Sequence, residues 1–214
     1  MSAREEILAR VRNAVADVTT PAGARPETPS AEVPSPKREE TLELFAENVA
    51  DYRATVLRST ADGLAAVMGD VLRNFECRSV VAPSGLDPAW LGALDSGTTV
   101  LPEAEATSHA QLDAVDAVVT AARVGIAVTG TIVLDHDATQ GRRELSLVPD
   151  THVCVIDAEH VVHDVPDAVR QLRPAPGAAR PLTWISGPSA TSDIELNRVE
   201  GVHGPRTLVV IIVD

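Results

Sequence analysis

Lysine is nearly absent from this 214-residue chain: seventeen of its eighteen basic residues are arginine, and the one lysine, Lys37, sits in a Pro/Ser-rich stretch. Schiff-base chemistry and a P-loop both need a buried or loop-anchored ammonium, so both are almost excluded. Cysteine is equally scarce. Cys77 and Cys154 lie far apart, with no C-x-x-C pair. A cysteine-bound iron–sulfur cluster needs about four thiolates. The chain cannot hold one alone, and any redox role must borrow its cofactor from a partner. The two thiols read as buried and reduced. No apolar run reaches the ~20 residues of a membrane span, and the first residues lack a signal peptide's apolar centre. That pattern predicts a cytoplasmic protein. There is no G-x-S-x-G elbow, no H-E-x-x-H and no G-x-G-x-x-G.

What is present is acid. The formal charge is −13, which repels phosphate backbones and anionic membranes at long range and argues against nucleic-acid binding. The apolar and charged fractions, 44% and 23%, are those of an ordinary globular chain. Residues 1–18 read as a helix with Ser2 and Glu5 as a capping box and Ile7, Leu8, Val11, Val15 and Val18 on one stripe. Residues 19–40, with five prolines, read as a linker. The α/β domain then runs from 41 to 214. It opens with a helical face of Phe45, Val49, Tyr52 and Val56, and a second helix carries Leu64, Val67, Met68, Val71, Leu72 and Phe75. Short apolar strands follow near 79–82, 98–101, 117–121, 126–134, 153–156, 182–185 and 208–213. Helices are expected at 88–94, 108–113 and 165–172. The alternation predicts a three-layer α/β sandwich with a mainly parallel, buried sheet. Residues 115–134 suit two strands at its centre.

Three segments could carry chemistry. Thr129-Gly130-Thr131 places a glycine inside a strand pattern, which implies a bulge or a close approach, and offers two hydroxyls to a ligand. Ser186-Gly187-Pro188-Ser189, followed by Thr191, Asp193 and Glu195, reads either as an anion-binding nest with hydroxyl donors or as a plain helix cap. Gly201-Val202-His203-Gly204-Pro205-Arg206 holds a histidine in a defined turn. His203 is then a candidate acid or base near neutral pH, or an imidazole that bonds its own turn. His160 and His163, with Asp157 and Asp164, could ligate a metal, but the local pattern favours a solvated turn, and no metal is expected. Residues 135–143 read as an exposed hairpin or loop.

In this order the segments resemble the LUD-domain proteins of the lactate-utilisation protein C (LutC/YkgG) family. The carrying residues are Ala127–Val133, Ser146-Leu147-x-Pro149-x-x-His152, Ser186–Glu195 and Gly201–Pro205. The resemblance covers roughly residues 117–214. It implies a fold like that of ribose-5-phosphate isomerase, glucosamine-6-phosphate deaminase and CoA transferases. It also implies a role in oxidising L-lactate to pyruvate beside partner subunits that carry iron–sulfur clusters. This chain departs from the pattern at Val128, where many members carry an acid, and at Ala190, where arginine is expected.

The expected site therefore combines His203, Asp193 and Glu195 as catalytic candidates. Thr129, Gly130, Thr131, Ser186, Gly187, Ser189, Thr191 and Gly204 bind substrate in this reading, and Arg206 holds its carboxylate. The first expectation for function is a subunit without its own redox cofactor in a lactate-oxidising complex. The alternatives are a stand-alone enzyme on a small phosphorylated or CoA-linked substrate, and a binding or regulatory module recruited through the first helix.

Overall fold

A computed structural model of the chain describes residues 2–17, 36–173, 180–191, 199–200 and 204–214. Two units are distinguished, residues 1–34 and 35–214. The first contains helix α1 (Ala3–Ala14). Its capping box forms as the sequence suggests: Glu5 N donates to Ser2 Oγ at 3.3 Å, and Ser2 N donates to Glu5 Oε2 at 2.7 Å.

The second unit runs α2 (Arg38–Asp51), β1 (Thr55–Ser59), α3 (Leu64–Asn74), β2 (Ser79–Ala82), β3 (Thr99–Pro102), α4 (His109–Asp113), β4 (Ala117–Ala121), β5 (Val124–Ile126), β6 (Thr131–Leu134), β7 (Thr151–Asp157), β8 (Val161–Val162), α5 (Val165–Gln171), β9 (Thr183–Ile185), β10 (Ala190–Thr191), β11 (Val199–Glu200) and β12 (Thr207–Val213). Six strands form one sheet in the order β1-β12-β7-β4-β2-β3, and every pairing in it is parallel. A second sheet, β8-β5-β6-β9, is mixed, and β10 pairs with β11 as a short antiparallel ribbon.

The inner strands of the main sheet are apolar on both sides because both sides are covered. Val153, Val155, Val209 and Ile211 pack on Leu64, Met68, Val71 and Leu72 of α3. Their alternating neighbours Cys154, Ile156, Val210 and Ile212 pack on Leu42, Phe45 and Val49 of α2 and on Ile132 and Leu134 of the second sheet. That sheet's other side, Val124, Ile126 and Val133, is closed by Ala168 of α5. Full burial of each large side chain stabilises by about 1.5–3 kcal/mol, which is why the pattern fixes the layers.

The α/β architecture with a parallel sheet is the expected one, with three local differences. Val56 does not continue the helical stripe of Phe45 and Val49. Arg53 turns the chain in the left-handed region (φ 68°), and Val56 lies in β1. Residues 126–134 are not one strand. A 3₁₀ turn at Ala127–Thr129 and Gly130 at φ 55° fold them into a hairpin that leaves the main sheet, so only 117–121 occupies its centre. Residues 88–91 form a single 3₁₀ turn, capped by Asp87, rather than a helix reaching 94.

Candidate functional site

The antiparallel pairing of β6 and β9 brings two distant segments together. Register pairs Ile132 with Ile185, so Thr131 and Ser186 adjoin at the strand ends. Thr131 Oγ1 lies 2.7 Å from Ser186 Oγ and 2.8 Å from Thr129 Oγ1, a chain of three hydroxyls. Ser189 N donates to Pro205 O at 2.8 Å, which ties the Ser-Gly-Pro-Ser turn to the Gly-Pro turn before β12. The three segments singled out in the sequence are thus neighbours in space.

Their glycines serve packing. Gly130 and Gly187 both have left-handed backbones, at φ 55° and 81°. A Cβ on Gly130 would meet the backbone of Asn48 at 2.6 Å, and one on Gly187 would meet Tyr52 Cβ at 2.5 Å. Both turns therefore press against the carboxyl end of α2, where Asn48 Nδ2 also donates to Ala127 O at 2.8 Å. The Gly130 amide is not an open binding surface. Val128, the departure from the family pattern, is exposed on the α2 side, beside Asn48, Asp51 and Tyr52.

On the other side of these turns lies a cleft of about 310 Å³ at the amino edge of the main sheet. His152 and Leu208 come to it from the starts of β7 and β12, Arg143 and Ser146 from the 3₁₀ turn at 143–146, and Ser186 and Ser189 from the segment after β9. His152 is 1% exposed, and its Nε2 lies 2.8 Å from Thr120 Oγ1 on the neighbouring strand. Burial pushes its pKa down to about 4, so the imidazole is neutral at neutral pH. Cys154, two residues on, contacts the same Thr120 hydroxyl, and burial pushes its thiol up to about 12. It is not a nucleophile in that state.

Arg143 supplies the cleft's positive charge, and no carboxylate among the described residues forms an ion pair with it. Arg206 does not line the cleft. It is exposed, forms a fork to Asp150 and belongs to a separate groove beside Glu76 and Asp150. Its position at a strand entrance, with an acid opposite, explains why. Gly204 (φ 123°) has open space at its Cβ position except for Ser189 Cβ at 3.8 Å. Asp193, Glu195 and His203 lie outside the described residues. Thr191 is placed only by its backbone pairing with Val199.

The two ionisable side chains of the cleft, His152 and Arg143, were not among the expected site residues. His152 ends one of the quoted signatures, but an isolated histidine in an apolar strand reads as core. Arg143 sits in the 135–143 segment read as an exposed loop. That segment is instead anchored. Buried Gln140 accepts from the amides of Asp135 and His136, His136 Nε2 lies 2.8 Å from Thr183 Oγ1, and Arg142 donates to Ala106 O. In the segment of His160 and His163, Asp157 accepts from Glu159 N and Asp164 from Asp167 N, while the buried Nδ1 of His163 has no hydrogen-bond partner among the described residues. Among the described residues no three histidines, cysteines or acids converge as metal ligands.

The LUD domain family matches residues 4–213 of this chain. The chain belongs to the LUD domain family. A lactate utilization protein C of Deinococcus radiodurans is 45% identical over 213 residues, covering 99% of this chain and 95% of that protein. Its counterpart in Oceanobacillus iheyensis is 25% identical, covering 83% and 81%. A crystal structure of a DUF162 family protein from Deinococcus radiodurans superposes with a TM-score of 0.72 at 40% identity, covering 84% of this chain and 99% of that one. This LUD domain thus shares its fold with that protein over 84% of its length. No helix among the described residues is long and apolar enough to cross a membrane.

Proposed function

We propose that this LUD domain acts in lactate utilisation by binding a small 2-hydroxy or 2-keto monocarboxylate in the amino-edge cleft. The carrying observation is the composition of that cleft: one guanidinium without a carboxylate partner among the described residues, beside hydroxyls and a neutral, buried imidazole. Arg143 holds the carboxylate as a charge-assisted pair. Ser186 or Ser189 hydrogen-bonds the 2-oxygen, and the floor at His152 and Leu208 takes the methyl group. His152 acts as a neutral hydrogen-bonding wall, since a pKa of about 4 makes it a weak base. Proton abstraction falls to His203, assisted by Asp193 and Glu195. The names of the relatives support the lactate role.

The chain has two cysteines, so the two-electron oxidation of lactate uses iron–sulfur partner subunits in this reading. The test has two arms. Calorimetry with L-lactate and pyruvate should show binding that Arg143→Gln weakens about tenfold. Anaerobic capture of the chain from lactate-grown cells should bring iron-containing, cysteine-rich proteins with it. No binding of either acid refutes the cleft assignment, and elution of the chain alone refutes the complex.

A further inference from the structure

His136 has a backbone that few residues with a side chain adopt. Its φ is 54°, in the left-handed region, and the loop around it holds that strain in place. Gln140, 2% exposed, accepts from the amides of Asp135 at 2.6 Å and His136 at 2.9 Å, and Gly141 N donates to Asp137 O at 2.9 Å. Held in this way, the imidazole spans two partners. Nδ1 lies 3.1 Å from Gly141 O, in its own loop, and Nε2 lies 2.8 Å from Thr183 Oγ1, 47 residues further along the chain. Thr183 is 7% exposed and lines the amino-edge cleft.

These two contacts fix the protons. A backbone carbonyl only accepts, so in the neutral ring Nδ1 carries the hydrogen and donates to Gly141 O. Nε2 is then the bare nitrogen, and it receives the Thr183 hydroxyl proton. With that proton committed to His136, Thr183 Oγ1 has only lone pairs left for a ligand. Ser146, 2% exposed on the same lining, is committed in the same way: its Oγ donates to Arg143 O at 3.2 Å. By contrast, the contacts among Thr129, Thr131 and Ser186 run between hydroxyls and can be ordered in either direction. The cleft thus combines guanidinium donors at Arg143 with two oriented acceptors, and those acceptors call for a hydrogen-bond donor on the ligand.

We propose that His136 is a positioning residue that makes the cleft select a 2-hydroxy acid over the corresponding 2-keto acid. His136 holds the Thr183 hydroxyl by its proton, and Thr183 Oγ1 accepts from the 2-hydroxyl of the bound ligand. A 2-keto acid brings the same carboxylate to Arg143 but has no proton to give. It leaves the nearly buried Thr183 oxygen facing another acceptor, which weakens its binding. The inference rests on the monocarboxylate reading of the cleft and adds which oxidation state of the ligand is preferred. In an oxidation, the product would lose the hydrogen bond that held the substrate, which favours its release.

The test is calorimetric titration of the full chain with L-lactate and pyruvate at about pH 8, above the ordinary histidine range. L-Lactate should bind about tenfold more tightly than pyruvate. Thr183→Val keeps the shape and removes the hydroxyl, so it should bring the ratio close to one, while Thr183→Ser should preserve it. His136→Phe releases the Thr183 proton toward the cleft and should also remove the preference. A merely structural role would weaken both acids together and leave their ratio intact. In ¹⁵N spectra of the unliganded chain, His136 should carry its proton on Nδ1. Equal binding of the two acids overturns this proposal and leaves the cleft reading standing. So does a ratio that survives Thr183→Val, or a neutral His136 ring protonated on Nε2. Binding of neither acid removes the cleft reading, and this proposal with it.

Discussion

The two edges of the main sheet are built from the same strands and differ in almost every respect. The amino-edge cleft is small, carries a guanidinium and is lined by three of the four segments of the family signature. The carboxyl-edge crevice, which lies among the segments following β1, β2, β4 and β7, is larger, ringed by aspartates, and contains none of it. At the amino edge the signature residues split into two tasks. Gly130 and Gly187 fit against α2, and the hydroxyls of Thr129, Thr131 and Ser186 link β6 to the turn after β9. A sequence signature therefore marks a joint as much as a ligand contact. At the carboxyl edge the crevice has no local signature, because each strand end contributes only one or two residues.

The largest effect should come from breaking that joint. Gly130→Ala adds a Cβ at 2.6 Å from the Asn48 backbone in a left-handed conformation. It should cost about 3 kcal/mol or more, read by urea unfolding. An equal loss from a surface change at the carboxyl edge such as Asp62→Asn would erase the distinction between joint and open crevice.

Next is the buried imidazole. The folded-state pKa of His152, about 4, lies below its ordinary 6.5, so its charged form is disfavoured in the native state. Its contribution is fully present above pH 6.5 and is lost as the pH falls toward 4, by up to about 3 kcal/mol. His152→Gln should flatten that part of the stability–pH curve. A curve unchanged by the substitution would show that the amino-edge floor is wet.

Smaller again is the effect on binding. Ser186→Ala should weaken monocarboxylate binding by about 1 kcal/mol and change unfolding by a similar amount, since it also removes the 2.7 Å contact with Thr131. The smallest effect belongs to Arg206→Ala. Its exposed pair with Asp150 is screened by solvent, so unfolding should be little changed and calorimetric lactate binding unchanged. A tenfold loss would return Arg206 to the site.

Much of the fold was legible in the sequence. The spacing of Leu64, Met68, Val71 and Leu72 gave α3, and the apolar runs at 79–82, 117–121 and 208–213 gave three strands of the sheet within a residue or two. β1 was not legible. Val56 sits at a helical interval from Val49, and periodicity cannot reveal the left-handed turn at Arg53 that interrupts it. Of the expected site, Thr131, Ser186, Ser189 and Gly204 come together, whereas Arg206 stands apart. His152 and Arg143 were obscured because burial and cleft exposure depend on what packs above them.

By itself, the sequence determined the elements with strong period and the layers they bury against, and its single lysine and two cysteines argue against lysine chemistry and a self-held iron–sulfur cluster. Those follow from local spacing and residue counts. Only the tertiary structure decided which hydroxyls meet, that Gly130 and Gly187 serve α2, and that two unlike clefts open at opposite edges of one sheet. Such properties depend on strand order, and strand order is set by contacts between residues far apart in the chain.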